Sequence, residues 1–371
     1  MGGHTAWPPA VLVLALATGC GLLPQGTDQT PPRVAILGLA NQTTVSGVLP
    51  VTVSAVDDVG LQAVELLYDQ ALVASLALPP FAFTLNTTRI PHGVSINLWA
   101  RATDGVGNTA QSVPLALSVH NPSSVALRLV SAFSFPAGVE RVSSPEPYPL
   151  PDPQALAPPS SVTPPTSPAP PSTSLRGGTG DIFYQVQWTA LNGAAAYRVY
   201  RAEHPTGPFS AVGSAVPSGQ TVFEETSGTF QVGVPACYAV TGFIAGQETA
   251  FSNGDCATPL AAHQNLSPPS GAEEVGLTPT LAWARHPSAL GYVYQVFDGA
   301  ECSGAPMITN PYDGTGKLVL TALTQVALGS SEAPALPHPG NYAWRSVAVS
   351  FVQGVADGLS FAPCYTLGTG D

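Results

Sequence analysis

Along most of this chain apolar and polar residues alternate in short runs, broken by clusters of Gly, Pro, Asn, Asp and Ser. Val51, Val53 and Ala55 fall on one side of such a run, and Val64, Leu66 and Tyr68 on one side of the next. A period of two predicts strands with one face turned inward. No window keeps apolar residues at helical spacing for more than about two turns. The pattern predicts strands over 34–37, 48–56, 63–69, 81–85, 95–103 and 113–119. Short strands at this density over residues 32–121 suit one antiparallel sandwich.

Turn residues punctuate that block in a characteristic order: Gly47, then Asp57, Asp58 and Gly60, then Pro80 and Phe81, then Pro91, His92 and Gly93, then Asp104, Gly107 and Asn108. The order resembles the bacterial Ig-like domains of surface proteins, and the resemblance covers nearly all of 32–121. Asp and Asn suit such turns because their side chains bind nearby backbone, and Gly because it accepts positive φ. A second reading gives Asp57, Asp58, Asp104 and Asn108 to a calcium ion, as oxygen ligands on two loops at one pole. Turn capping is the stronger of the two.

A different pattern runs from residue 181 to 260. A strand ending at Trp188 is followed by Tyr197, Val199 and Tyr200, then by a run from Cys237 to Phe243. This resembles a fibronectin type III domain, in which a Trp on the second strand packs under a Tyr-rich third strand. The resemblance implies that Trp188 and Tyr197 are core residues. Residues 261–371 repeat the theme. Trp283 precedes Tyr292 by the spacing that separates Trp188 from Tyr197, and 341–349 matches the long sixth strand of that family. The expectation is an all-β chain of tandem antiparallel sandwiches, Ig-like over 32–121 and fibronectin-like over 181–260 and 261–371. A strand segment and a Pro-rich linker fill 122–180. The Pro-rich stretch 145–171 predicts an extended spacer; residues 124–135, just before it, either stand apart or begin the second sandwich.

Ahead of the first sandwich, residues 10–18 are apolar, too few for a membrane span of about 20 residues. They lead into Leu16, Ala17, Thr18, Gly19 and Cys20, which resembles a lipoprotein signal. That resemblance implies a signal peptide over 1–20, acylation of Cys20 and a tether over 21–31. Each buried acyl CH₂ would add about 0.8 kcal/mol to anchoring. A plain secretory signal is the alternative. Of the five cysteines, setting Cys20 aside leaves four, two in each of the last two modules. The simplest pairing is Cys237–Cys256 and Cys302–Cys364. In an oxidising compartment each bridge adds roughly 3–4 kcal/mol.

Composition narrows the function. The net charge is −12 with 11 Lys and Arg, and charged residues are 9% of the chain, against roughly 25% in ordinary domains. Nothing here offers the cation cluster that a phosphate backbone needs, so nucleic acid is excluded as a partner. Membrane contact has to come from the lipid. The chain carries no G-x-S-x-G elbow, no H-E-x-x-H and no phosphate loop, and the seven His are scattered. The expectation is an exported, lipid-anchored envelope protein, not an enzyme and without a cofactor, that binds a surface protein or glycan. A structural spacer and an accessory module of a secreted hydrolase complex are the alternatives. An exposed stripe of Tyr292, Tyr294, Tyr342 and Trp344 would favour binding; a surface without an apolar patch would favour spacing.

Overall fold

The computed structural model describes residues 28–121, 125–136, 152–159 and 179–370. Cys20, the signal peptide and most of the Pro-rich stretch lie outside these residues. The alternation over 32–121 folds into two facing sheets. Their strands are β1 (Arg33–Leu37), β2 (Thr43–Val45), β3 (Val48–Val56), β4 (Leu61–Tyr68), β5 (Ala71–Leu76), β6 (Ala82–Asn86), β7 (Ser95–Asp104), β8 (Thr109–Gln111) and β9 (Leu115–Val119). One sheet has the order β1-β3-β6 and the other β2-β9-β7-β4-β5, with β8 on β7. Val51, Val53, Phe83 and Leu85 of the first meet Val64, Leu66, Ile96 and Leu98 of the second in a closed core. The period of two located the long strands. It missed β2 and β8, of three residues each, and β5, the six-residue partner of β4.

The second sandwich comprises β10 (Leu127–Pro136), β11 (Leu156–Ala157), β12 (Thr179–Trp188), β13 (Ala196–Ala202), β14 (Ser210–Pro217), β15 (Val222–Thr226), β16 (Ala236–Ile244), β17 (Gln247–Glu248) and β18 (Asp255–Ala257). β10 pairs antiparallel with β12, and β12 with β15. That three-stranded sheet faces β14-β13-β16-β17, with β18 on β16. The second sandwich thus sets β10, β12 and β15 against a layer of five strands. Residues 127–136 therefore begin this module. The Pro-rich stretch, expected as a linker within 122–180, is an insertion between the module's first two long strands.

The third sandwich comprises β19 (Asn265–Ser267), β20 (Thr280–Trp283), β21 (Gly291–Asp298), β22 (Ile308–Thr309), β23 (Leu318–Val319), β24 (Gln325–Ala327), β25 (Asn341–Val352), β26 (Val355–Phe361) and β27 (Tyr365–Gly368). A β19-β20-β24 sheet faces the long strands β21, β25 and β26. Here the two modules merge. β10 pairs parallel with β26, Ala132 opposite Gly358, Phe133 opposite Leu359 and Ser134 opposite Ser360. The result is one sheet in the order β15-β12-β10-β26-β25-β21-β22. At that seam a Cβ on Gly358 would stand 2.6 Å from both the Thr258 carbonyl oxygen and the Ser350 hydroxyl, so only glycine fits there.

One face of the merged sheet carries a second apolar cluster. Phe133 stacks on Phe183 and Phe135 on Phe361, each pair at 4.7 Å between ring centroids. Part of the insertion lies over this face. Asp152 caps a short 3-10 turn through the Gln154 N–H, and β11 pairs parallel with β23 of the third module. The Leu320 N–H donates to the Ala157 carbonyl at 3.1 Å. Leu156 is 1% exposed among Phe133, Phe183, Leu318 and Leu320. Residues 152–159 are thus a strap across two modules, where an extended spacer was expected. Truncating Leu156 to Ala should cost about 2–5 kcal/mol, measured as a lower urea midpoint for the tryptophan transition of the joined modules.

Candidate functional site

The two loops that carry the expected calcium quartet lie side by side at one pole of the first sandwich, the Gly105 N–H donating to the Gly60 carbonyl and the Asn108 amide to the Asp28 carbonyl, both at 3.0 Å. Asp104 has no exposed surface. Its Oδ1 accepts from the N–H groups of Val106, Gly107 and Asn108 at 2.7–2.9 Å, and its Oδ2 accepts from the Asn108 amide at 2.8 Å. Burial alone would raise its pKa. The Asn108 amide and the backbone donors outweigh burial and hold the carboxyl below its ordinary value. Asp104 and Asn108 are therefore turn caps, and Gly107 supplies the positive φ (+100°) that the turn requires. Asp57 caps its own turn by accepting from Val59 and Gly60 at 3.1 Å. Asp57 and Asp58 gather instead with Asp28, their carboxylate oxygens within 4.8 Å of one another.

The candidate aromatic stripe is interior. Tyr292 is 4% exposed, Tyr294 2%, and Tyr342 and Trp344 not at all. They fill the third core with Trp283. The repeat behind them holds in detail. Trp188 meets Tyr197 at 5.3 Å and Trp283 meets Tyr292 at 5.8 Å between ring centroids. In each module the Tyr hydroxyl accepts the N–H of the residue three places after the Trp, Leu191 at 2.7 Å and His286 at 2.8 Å. Among the described residues the large aromatic left exposed is Tyr312, at 65%, on a loop of the third module tied down by Asp313.

Cys237 and Cys256 sit opposite each other on β16 and β18 and form a disulfide. Cys302 and Cys364 form the second. Both pairs are those that the simplest pairing predicts.

The interactions between modules escaped the sequence. Between the first two, the Arg89 guanidinium meets the Glu248 carboxylate at 2.9 Å and lies over the Phe251 ring at 5.6 Å. The Tyr200 and Thr241 hydroxyls also donate to Glu248. Burial by itself would raise the Glu248 pKa. Arg89 and the two hydroxyls more than offset it, bringing the carboxyl down to about 2. Backbone bonds join Phe251 N–H to Thr88 and His92 N–H to Ser252, both at 2.9 Å. Between the second and third modules Asp255 and Asp357 approach each other. Both are pushed up, first by burial, and Asp255 further by the charge of Asp357. Asp255 accepts the Val130 N–H at 3.0 Å beside the seam. None of these residues stands in a recognisable motif; only contact across modules reveals them.

Residues 32–96 match the family model for the bacterial Ig domain. Over those residues the first module is similar to a bacterial Ig domain. Its β1–β3–β6 sheet and the β4–β7 pair are the two layers described above, and the resemblance read from its turn residues is confirmed. No curated protein sequence matches the chain. Among solved structures, fibronectin(III)-like modules of Clostridium thermocellum CbhA align with a TM-score of 0.22 and 16% identity, over 24% of this chain and 96% of theirs. The FN1–FN3 domains of chicken CNTN1 align at 0.29 and 10% identity, over 92% and 99%. The Bacteroides ovatus protein SGBP-B of a mixed-linkage glucan utilization locus, solved with a mixed-linkage heptasaccharide, aligns at 0.31 and 11%, over 93% and 71%.

Two substitutions test these assignments. Trp344→Ala should lower stability by about 3–5 kcal/mol in urea denaturation, as a core residue and not a ligand platform would. Asp104→Ala should lower the melting temperature of the bacterial Ig domain in calcium-free buffer, since it removes the acceptor of three backbone N–H groups and of the Asn108 amide whether or not a metal is present.

Proposed function

We propose that this chain is a non-catalytic binding and display protein of the cell envelope, held to a membrane by acylated Cys20. The arrangement of the modules carries the reading. Arg89 and Glu248 clamp the bacterial Ig domain to the second sandwich, and a shared sheet joins the second to the third. Such a body holds a contact surface at a set distance from its foot. A composition with 9% charged residues and two disulfides in the outer modules suits an oxidising exterior.

The ligand is a protein surface in this reading, in preference to a glycan. The aromatic residues that a sugar platform would use are inside the third core, whereas Tyr312 and Met307 are exposed on neighbouring loops, at 65% and 40%. Tyr and Met are residue types enriched where proteins meet proteins. Serving as a spacer alone remains the second reading, and the clamp and shared sheet suit it equally.

Fractionation of producing cells tests the anchor. The native chain should sediment with membranes and carry acyl mass on Cys20, and Cys20→Ser should release it unmodified. A Cys20→Ser chain that still sediments would overturn lipid anchoring. Binding of the purified chain to surface proteins but not to a glycan array is the expected ligand result; the reverse would restore the glycan reading.

A further inference from the structure

The second and third modules share strand register and spacing around their tryptophans, and the comparison isolates one departure. Leu127 lies opposite Trp188, and Asn265 lies opposite Trp283. Counting back two places pairs Val125 with His263. Counting forward three from each Trp pairs Leu191 with His286. In the second module Val125 and Leu191 are apolar neighbours that both flank Gly242, within 3.4 Å of where its Cβ would stand. In the third module the same two places hold imidazoles, buried at 2% and 4% exposure, with ring centroids 6.4 Å apart. The sandwich evidently builds this corner from hydrocarbon, so its architecture does not call for histidine there.

Both rings belong to the joint with the second module. His286 lines a cavity of about 230 Å³ together with Val232, Gly233, Pro259 and Asp357, residues of both modules and of the chain between them. His263 sits on that connecting chain and stacks on Tyr292 at 5.5 Å. The hydrogen bonds specify neutral rings. The Ser288 N–H donates to His286 Nδ1, so that nitrogen is bare, and Nε2 carries the proton that meets the Ala261 carbonyl at 3.2 Å. The Ser346 hydroxyl donates to Asn265 Oδ1, so His263 Nε2–H donates to Ser346 Oγ at 3.0 Å. His263 Nδ1 is buried with no partner. A proton added to either Nδ1 breaks the Ser288 bond or buries an N–H with no acceptor.

We propose that His263 and His286 make the joint between the second and third modules an acid-sensitive hinge, closed at neutral pH and loosened in mildly acidic surroundings. The pKa directions agree with the geometry. Burial, and then the charge of its neighbour His286, bring His263 down to about 3. Burial also lowers His286, against the pull of the Ala261 carbonyl. Groups depressed in the closed state leave it fully stable above the ordinary histidine value of about 6.5, and stability is lost as pH falls through their own values. Asp255 on β18 and Asp357 on β26 act oppositely, since raised carboxyls add stability to the closed joint as they take up protons. Of the other charged groups on elements packed here, Arg285 is exposed, and Arg345 on β25 lies over the Phe297 and Phe361 rings. Tyr292, raised by burial, titrates far above this range.

The second module supplies the test substitutions. Amide exchange of the full chain is followed at about pH 7.5 and about pH 5.5, corrected for intrinsic rates, with the bacterial Ig domain as internal reference. At about pH 5.5, one unit below the ordinary histidine value of about 6.5, an imidazole that stays neutral in the closed joint contributes up to about tenfold. The change in protection over 258–265 and 284–290 between the two pH values should therefore be at least about tenfold more unfavourable in the wild-type chain than in His263→Val/His286→Leu, in which Asp255 and Asp357 act alone. An equal change in both chains overturns the hinge. Should the double variant fail to fold, imidazole titration of the wild type decides. Values for both rings below about 6 support the hinge, and values at the ordinary 6.5 overturn it.

Discussion

The parallel pairing of Leu127–Pro136 with Val355–Phe361 is the constraint on which most of the molecule's shape depends. A strand at a sheet edge offers a row of unpaired N–H and C=O groups, and something must meet them or water must reach them. β10 meets β12 on one side and β26 on the other, so neither module has an edge at this seam. Two further features follow from that pairing. Gly358 must be glycine because the connecting chain crosses within van der Waals reach. The apolar face of the merged sheet, with its Phe133, Phe135, Phe183 and Phe361 stack, receives Leu156 from an insertion in the second module.

The scarcity of charge gives each charged group unusual weight. In a chain with 9% charged residues, surface ion pairs contribute little. The acids with displaced pKa values concentrate at turns and joints. Glu248 is a clamp because Arg89, Tyr200 and Thr241 all converge on it. Asp255 and Asp357 carry like charges toward each other on the two sides of the seam. Against this background the two imidazoles of the third module stand out, because the equivalent corner of the second module is hydrocarbon. The joints are where this chain uses polarity, and the cores are closely similar from one fibronectin-like module to the next.

The alternation of residues determined by itself that the chain is all-β, where the bacterial Ig domain lies, and which strands are long. Each of these follows from local geometry, since a strand exposes alternate faces and a turn needs Gly, Asn or Asp whatever surrounds it. The Trp-to-Tyr spacing likewise identified the cores of the second and third sandwiches, because the contact is made within one module. Only the tertiary structure decided what those modules do to one another. It moved Leu127–Pro136 into the second sandwich and turned part of a Pro-rich spacer into a strap. It sent Tyr292, Tyr294, Tyr342 and Trp344 inward, made turn caps of Asp104 and Asn108, and brought Asp28 beside Asp57 and Asp58. The physical reason is common to all of these. A strand's second partner, an aromatic ring's facing side and a carboxylate's neighbours across a joint are set by residues distant in the chain, and composition and periodicity describe only what is near.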